Sequence, residues 1–390
     1  MSVNLTNADS VLKSAYLDAI TTQLNENVNP FLATIEKSSN DVYGKEVRKL
    51  SIYGMNGGVG AGTEDGELPD ATGNNYTQMV TTLKNLYGVI EISDKAIRAS
   101  ENNAGAFVNL LNAEMEGLIR ASSFNFGRML FGDGSGIVSK VQGELEGYLM
   151  VDNIQNFVEG MVIDFRDENG NILEEGRRVK MIDITNSLVM LHGEPVNLTK
   201  TPVGSLVTAH GSYGHEITGL GSIFNLENET LYGLKRSEIP FINPYCNFDV
   251  GEIDELTIQQ ALDSIEAISG KAVNFIICSW GVRRALQKLF SQNKRVIDTV
   301  ELAGGYKAMS YNGIPIVVDR FCPKGTMYLL NTEDFALHQL CDWQWLADDQ
   351  GKVLHQVPGK PVYTATLVKY ADLICARPNG QGIITGITEA

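Results

Sequence analysis

Basic residues are scarce in this 390-residue chain: 31 lysines and arginines stand against 47 acidic residues, a formal net charge of -16. That balance excludes a protein that grips phosphate backbones through a broad basic surface, so any relation to nucleic acid is loose. Cysteine is sparse too. Cys246, Cys278, Cys322, Cys341 and Cys375 are too far apart for a CxxC metal pair or a small disulfide framework, and reduced, mostly buried thiols are expected. No stretch approaches the ~20 apolar residues that span a bilayer. The start, MSVNLTNADSVLKSAYLDAI, has no basic end leading into an apolar run, so we expect a protein made and kept in a cytoplasm with no membrane partner. The Asn-x-Thr triplets at Asn4, Asn75, Asn197 and Asn228 are discounted as glycosylation sites for the same reason.

Signatures of catalysis are also missing. His192, His210, His215, His338 and His355 form no HExxH, and His210 and His215 are separated by GSYG, which suits turns in a β-domain better than a metal pair. There is no GxSxG elbow, and CSWG at Cys278 reads as a strand end and helix cap. FRDENGN lacks the order of a calcium loop because Asn169-Gly170 is first of all a hairpin turn. Glycines crowd at Gly57, Gly58, Gly60 and Gly62, but no lysine occurs from Leu50 to Leu83, so a phosphate-cradling loop is excluded. No catalytic residue, cofactor or metal site is expected.

Glycine, by contrast, is plentiful at 39 residues, and the length suits about two to four compact units. Residues 8–36 begin with a helical pattern in which Val11, Leu12, Ala15, Tyr16, Ala19 and Ile20 share a face behind Asn7 or Asp9, until Pro30 interrupts it. Alternation over Lys45 to Tyr53 and again over Tyr76 to Ile92 predicts a long hairpin. Its tip, MNGGVGAGTEDGELPDATGNN, carries Glu64, Asp65, Glu67 and Asp70 and almost no side chain for a core, so it makes most sense reaching onto a neighbouring molecule.

A helix is predicted over 102–131, with Phe107, Leu110, Leu111, Met115, Leu118, Ser122, Phe126 and Met129 on one broad face and GDGSG ending it. Residues 137–217 read as short strands with turn signals, a small β-barrel or sandwich placed inside a host fold. A helix from Glu252 to Ser269 stopped by Gly270, the strand VNFIIC, and a helix GVRRALQKLFSQ capped by Ser279 follow. Beyond them come strands around Asn312-Gly313, then TMYLLN, the alternating DWQWL with Trp343 and Trp345, and the long strand PVYTATLVKYADLICARP. The bases Arg283, Arg284, Lys288, Lys294 and Arg295 read as a solvated face or a subunit contact.

The order of these elements resembles the major capsid proteins of tailed bacteriophages, the Hong Kong-type fold. The stretches that carry the resemblance are GTEDGELPDATGNNYTQMVTTLKNLYGVIEIS and SGKAVNFIICSWGVRRALQKLF...ELAGGYKAMSYNGIPIVVDRFCPKGTMYLLNTEDFALHQL. The resemblance implies an α+β fold with an N-terminal arm over 1–43, an extended loop over 44–100 and a peripheral domain with its spine helix over 101–136 and 361–390. An inserted β-domain over 137–217 and an axial domain over 218–360 complete it. It implies no enzyme but a virion shell of pentamers and hexamers that expands on maturation, assembled in a bacterial cytoplasm with a portal and with either a separate scaffolding protein or a scaffolding segment already removed by processing. Double-stranded DNA is enclosed without sequence-specific binding.

Some members weld subunits through a loop lysine. This tip has neither lysine nor cysteine, so buried area and charge pairing take that role, with Glu64, Asp65, Glu67 and Asp70 as candidate contacts opposite Arg283 and Arg284 of a neighbour. The competing readings are an encapsulin-like nanocompartment and a cytoplasmic α/β enzyme.

Overall fold

The computed structural model describes residues 29–54, 56–67, 69–95, 104–292, 299–302, 306–347 and 353–390. The helical pattern expected before Pro30, and Lys294 and Arg295, lie outside the described residues. The chain is α+β: a five-stranded sheet, a closed six-stranded barrel and a seven-stranded sheet are accompanied by a three-stranded sheet that carries the long hairpin and by a two-stranded sheet, Thr230–Leu231 with Leu234–Lys235.

The longest strand, Val362–Cys375, is the centre of a five-stranded sheet. Lys84–Ser93 pairs antiparallel along one edge; Phe335–Trp345 and the short His355–Gln356 pair along the other. Glu36–Ser38 extends the sheet in parallel beyond Phe335–Trp345. In Lys84–Ser93 the pleat turns Leu86, Ile90 and Ile92 inward and leaves Tyr87 and Val89 exposed. The helix Ala104–Phe131 crosses this sheet at Gly88, where a β-carbon would stand 2.9 Å from Leu118 Cδ1 and 3.2 Å from Ser122 Oγ, so a larger residue there has to push the helix side chains aside. Both Trp343 and Trp345 are buried, and Trp343 meets Phe126 of the helix edge to face. Lys369 is also buried there, its ammonium donating to Gln339 Oε1 at 2.7 Å and Asp342 Oδ1. Burial pulls its pKa down, and the Asp342 carboxylate opposes that shift.

After the helix, six strands close a barrel in the order Leu188–Leu191, Tyr148–Val151, Ile137–Leu145, Leu206–Ala209, Val162–Arg166, Ile172–Asp183. Val141, Leu149, Phe157, Ile163, Phe165, Val189 and Val207 fill its interior. The Asn169-Gly170 turn is present, with Gly170 at φ +85 and its N–H donating to Asp167 O at 3.0 Å.

A seven-stranded sheet runs Tyr245–Asn247, Gly382–Ile384, Met327–Leu330, Phe275–Cys278, Ile314–Val318, Tyr306–Tyr311, Thr299–Leu302. The helices Glu255–Ser269 and Trp280–Gln292 bury Ile258, Ala261, Ile265 and Leu286 in the same core as strand residues Ile276, Met327 and Ile384. The first helix starts at Glu255, later than the pattern suggested, because Asp254 is the residue that caps it by accepting from Thr257 N at 2.7 Å.

Three expectations are corrected by the strand pairing. The hairpin joins Glu46–Tyr53 to Asn75–Thr82 only. At Leu83, whose N–H donates to Lys45 O, the return arm changes sheets and becomes Lys84–Ser93. Phe335–Trp345, expected with the α/β unit ending at residue 360, pairs instead with Val362–Cys375, and its inward Trp343 packs against Phe126 of the long helix. Gly382–Ile384, expected with that final strand, instead pairs with Tyr245–Asn247 and Met327–Leu330 after the turn at Pro378–Gly380.

Gly88→Val puts a branched side chain into the Leu118 contact and lowers stability by about 1–3 kcal/mol, read as a drop in the urea midpoint. Gly117→Ala, where a β-carbon meets nothing within 4 Å, leaves the midpoint unchanged or slightly raised.

Candidate inter-subunit site

The hairpin tip is extended and exposed. Glu64, Asp65, Glu67 and Asp70 all face solvent and form no ion pair among the described residues. Internal turns shape the tip: Asn56 Oδ1 accepts from Gly58 N at 2.9 Å and from Thr72 Oγ1 at 3.0 Å, and Gly66 N donates to Thr63 O. Within one chain these acids are not brought to Arg283 or Arg284. Arg283 is exposed, whereas Arg284 Nε already donates to the carbonyl of Ala390. Beside it, Glu389 accepts from Ser279 Oγ and from Gly325 N at 2.8 Å, fastening residues 389–390 at the start of the helix Trp280–Gln292.

Long-range pairs invisible to local pattern hold the barrel in place. Arg128 near the end of the long helix and Glu216 just past the last barrel strand form a two-pronged ion pair, each side chain 3% exposed. Two residues on, Thr218 donates from N to Asp372 Oδ1 at 2.7 Å and from Oγ1 to Oδ2 at 3.2 Å, while Thr81 of the hairpin reaches the same Oδ2. Burial raises the pKa of Asp372, against the pull of those hydrogen bonds. On the barrel's flank, Arg320 donates to the carbonyls of Gln155 and Phe157, both at 3.3 Å, and lies over the Phe124 ring.

Between barrel and helix opens a cleft of about 810 Å³. One wall is residues 85–89, another is residues 158–162 with 209–212, and the floor is the helix face carrying Leu118, Ser122, Asn125 and Phe126. Arg178, His210 and His215 stand on its barrel side together with Glu159. His210 Nδ1 lies 2.7 Å from Asp164 Oδ1, and Asp164 also accepts from Gly176 N and Gly211 N. His215 does not complete a metal set, and no group of three ligating side chains occurs among the described residues. No helix there is long and apolar enough to cross a membrane.

Buried thiols carry no nucleophile. Burial pushes Cys278 up to about 12 and Cys246 to about 11, so neither is a thiolate near neutral pH. Asp319, 3% exposed and with Oδ2 lacking a partner, is pushed up to about 6 by burial, against the Phe321 N–H that it accepts.

Two consequences are measurable. Arg128→Met leaves Glu216 buried without its partner and costs about 3–5 kcal/mol, while the double variant Arg128→Met with Glu216→Leu recovers most of that in denaturant titrations. For Asp319 the folded-state pKa lies above the unfolded one, so ionisation destabilises: no penalty below pH ~4, growing to pH 6 and complete above it. Asp319→Asn is therefore expected to stabilise the protein by about 2–3 kcal/mol at pH 7.5 and to make no difference at pH 3.5, by thermal unfolding at both.

No protein-family model and no curated protein matches the sequence. Among solved structures, a chain of the cyanophage A-1(L) capsid asymmetric unit superposes with a TM-score of 0.55 at 12% identity, covering 93% of this chain and 94% of that one. The holo-SrpI encapsulin complex of Synechococcus elongatus gives 0.48 at 9% identity with 95% of both chains covered. The capsid of Myoviridae phage XM1 gives 0.45 at 9% with 92% of both. The first of these likenesses, spanning nearly all of both chains, establishes that this protein has the fold of a phage capsid subunit.

Proposed function

We propose that the chain is the major capsid protein of a tailed phage, a structural subunit that catalyses nothing and closes with its copies into an icosahedral head around double-stranded DNA. The observation that carries this reading is the shared fold with the cyanophage capsid chain, together with a finger that the described residues of its own chain leave uncovered. In this reading the hairpin is the extended loop, the long helix and five-stranded sheet are the peripheral unit, the seven-stranded sheet and its helices are the axial unit, and the barrel is an inserted domain. Identical subunits form pentamers and hexamers when one patch meets a different patch on the next copy at an angle that closes. Individual contacts are weak, and repetition makes the shell strong.

The net charge of -16 supports walls that enclose DNA without gripping it, so the nucleic acid enters and leaves freely. A separate scaffolding protein and a portal are partners of the assembly in the bacterial cytoplasm, and the shell expands as DNA enters. The acids of the tip lie against a neighbouring subunit. Because Arg284 is already turned to Ala390, Arg283 is the better placed of the two arginines proposed to face them.

Expression of the chain, alone and with its scaffolding protein, followed by negative-stain microscopy and light scattering, tests the reading. Megadalton closed particles are expected. Small oligomers under every condition contradict it, and particles from infected cells that hold a protein cargo in place of DNA point to a nanocompartment.

A further inference from the structure

His338 is 1% exposed, and none of the joints described above uses it. It stands on the strand Phe335–Trp345 directly opposite Asp372, on the face of the five-stranded sheet that the root of the hairpin covers through Thr81. Its ring nitrogen Nδ1 is 3.1 Å from Asn40 O. A carbonyl only accepts, so Nδ1 carries the proton, and Nε2 is a bare lone pair, buried and without a partner among the described residues. Burial holds the pKa of this imidazole below its ordinary value of 6.5, and Lys49 pushes the same way, against the pull of Asn40 O, Asp41 and Glu36.

A second proton on the ring finds no free acceptor beside it. Asp372 is nearest in register, but Oδ1 already accepts from the N–H groups of Thr218 and Leu373, and Oδ2 from the hydroxyls of Thr81 and Thr218. Glu36, on the neighbouring edge strand, is exposed. Asp41 is the remaining acid, and its Oδ2 accepts from Lys49 Nζ at 3.1 Å, an ion pair that fastens the turn at residues 38–41 to the hairpin strand Glu46–Tyr53. That turn is strained at Asp41, which holds a left-handed φ of +63. We propose that His338 is a proton-operated catch on the root of the hairpin: neutral, it holds the turn through Asn40 O; protonated, it draws Asp41 away from Lys49 and loosens the strand Glu46–Tyr53. The catch acts within one chain and does not rest on the shell reading. Because the folded-state pKa lies below the unfolded one, its contribution is whole above pH ~6.5 and is lost as the pH falls through the folded-state value.

The test uses the full chain as unassembled subunits at pH 7.5 and 5.5, with amide exchange corrected for its intrinsic pH dependence. Residues 42–53 should lose protection by up to about tenfold at the lower pH, the limit set by an opened ring that titrates near 6.5, while the barrel strands stay protected. His338→Gln keeps a donor for Asn40 O and does not titrate, so its protection should be the same at both pH values. His192→Gln, at an exposed barrel position, should respond as the unmodified chain does. Deuteration of the imidazole C2 carbon, read by mass spectrometry from pH 4 to pH 8, needs no variant and should place the His338 titration below 6.5. A His338 titration at or above 6.5, an equal loss of protection in His338→Gln, no loss in the unmodified chain, or a loss shared by the barrel overturns the catch.

Discussion

Backbone groups removed from water have to be paired, and the strand Val362–Cys375 is where this chain meets that requirement on the largest scale. Fourteen residues long, it is bonded on both edges, and it carries a lysine and an aspartate, Lys369 and Asp372, into the interior. Lys369 is tolerated because Gln339, Asp342 and two aromatic faces surround its ammonium. Asp372 is tolerated because it collects hydrogen bonds from the hairpin and from the segment leaving the barrel. Burying charge on a central strand is costly unless each charge is met, so the elements that meet them are fixed relative to the sheet.

From that strand outward the fold is a set of joints. Thr81 ties the root of the hairpin, Thr218 ties the barrel's exit, and two residues before Thr218 Glu216 locks onto the long helix through Arg128. Arg320 adds a strap from the loop after Ile314–Val318 to the barrel's side. The barrel is thus held at its neck and flank. The hairpin, by contrast, is paired only as far as Tyr53 and Asn75, and nearly all the described residues beyond are exposed. Among the described residues, a subunit built this way has a packed body and a projecting element whose acids those residues do not neutralise.

Much of this was legible in the sequence, and the rest was not, for identifiable reasons. Period and punctuation located the long helix, the barrel strands around Asn169-Gly170 and the stop at Gly270, because those signals act within a few residues. The break at Leu83 was hidden: alternation runs through it, and only the partner strand shows that the arm changes sheets. Phe335–Trp345 gave a clear strand signal, yet alternation says nothing of which sheet a strand joins. The tip acids were visible as a charged, coreless run. Arg128, Glu216, Asp319, Arg320 and Asp372 were not, since each acquires meaning from a residue or a cavity brought close by folding, 88 positions away for Arg128 and Glu216 and 291 for Thr81 and Asp372.

The account stands on a division between a body that buries itself and a finger that only another copy can bury. Hydrogen exchange of residues 56–74, compared between unassembled subunits and closed particles, addresses that division directly. Slowed exchange there on assembly, with the barrel core unchanged, is the predicted result. Equal exchange rates in the two states, or protection of the finger already present in the isolated subunit, would contradict it.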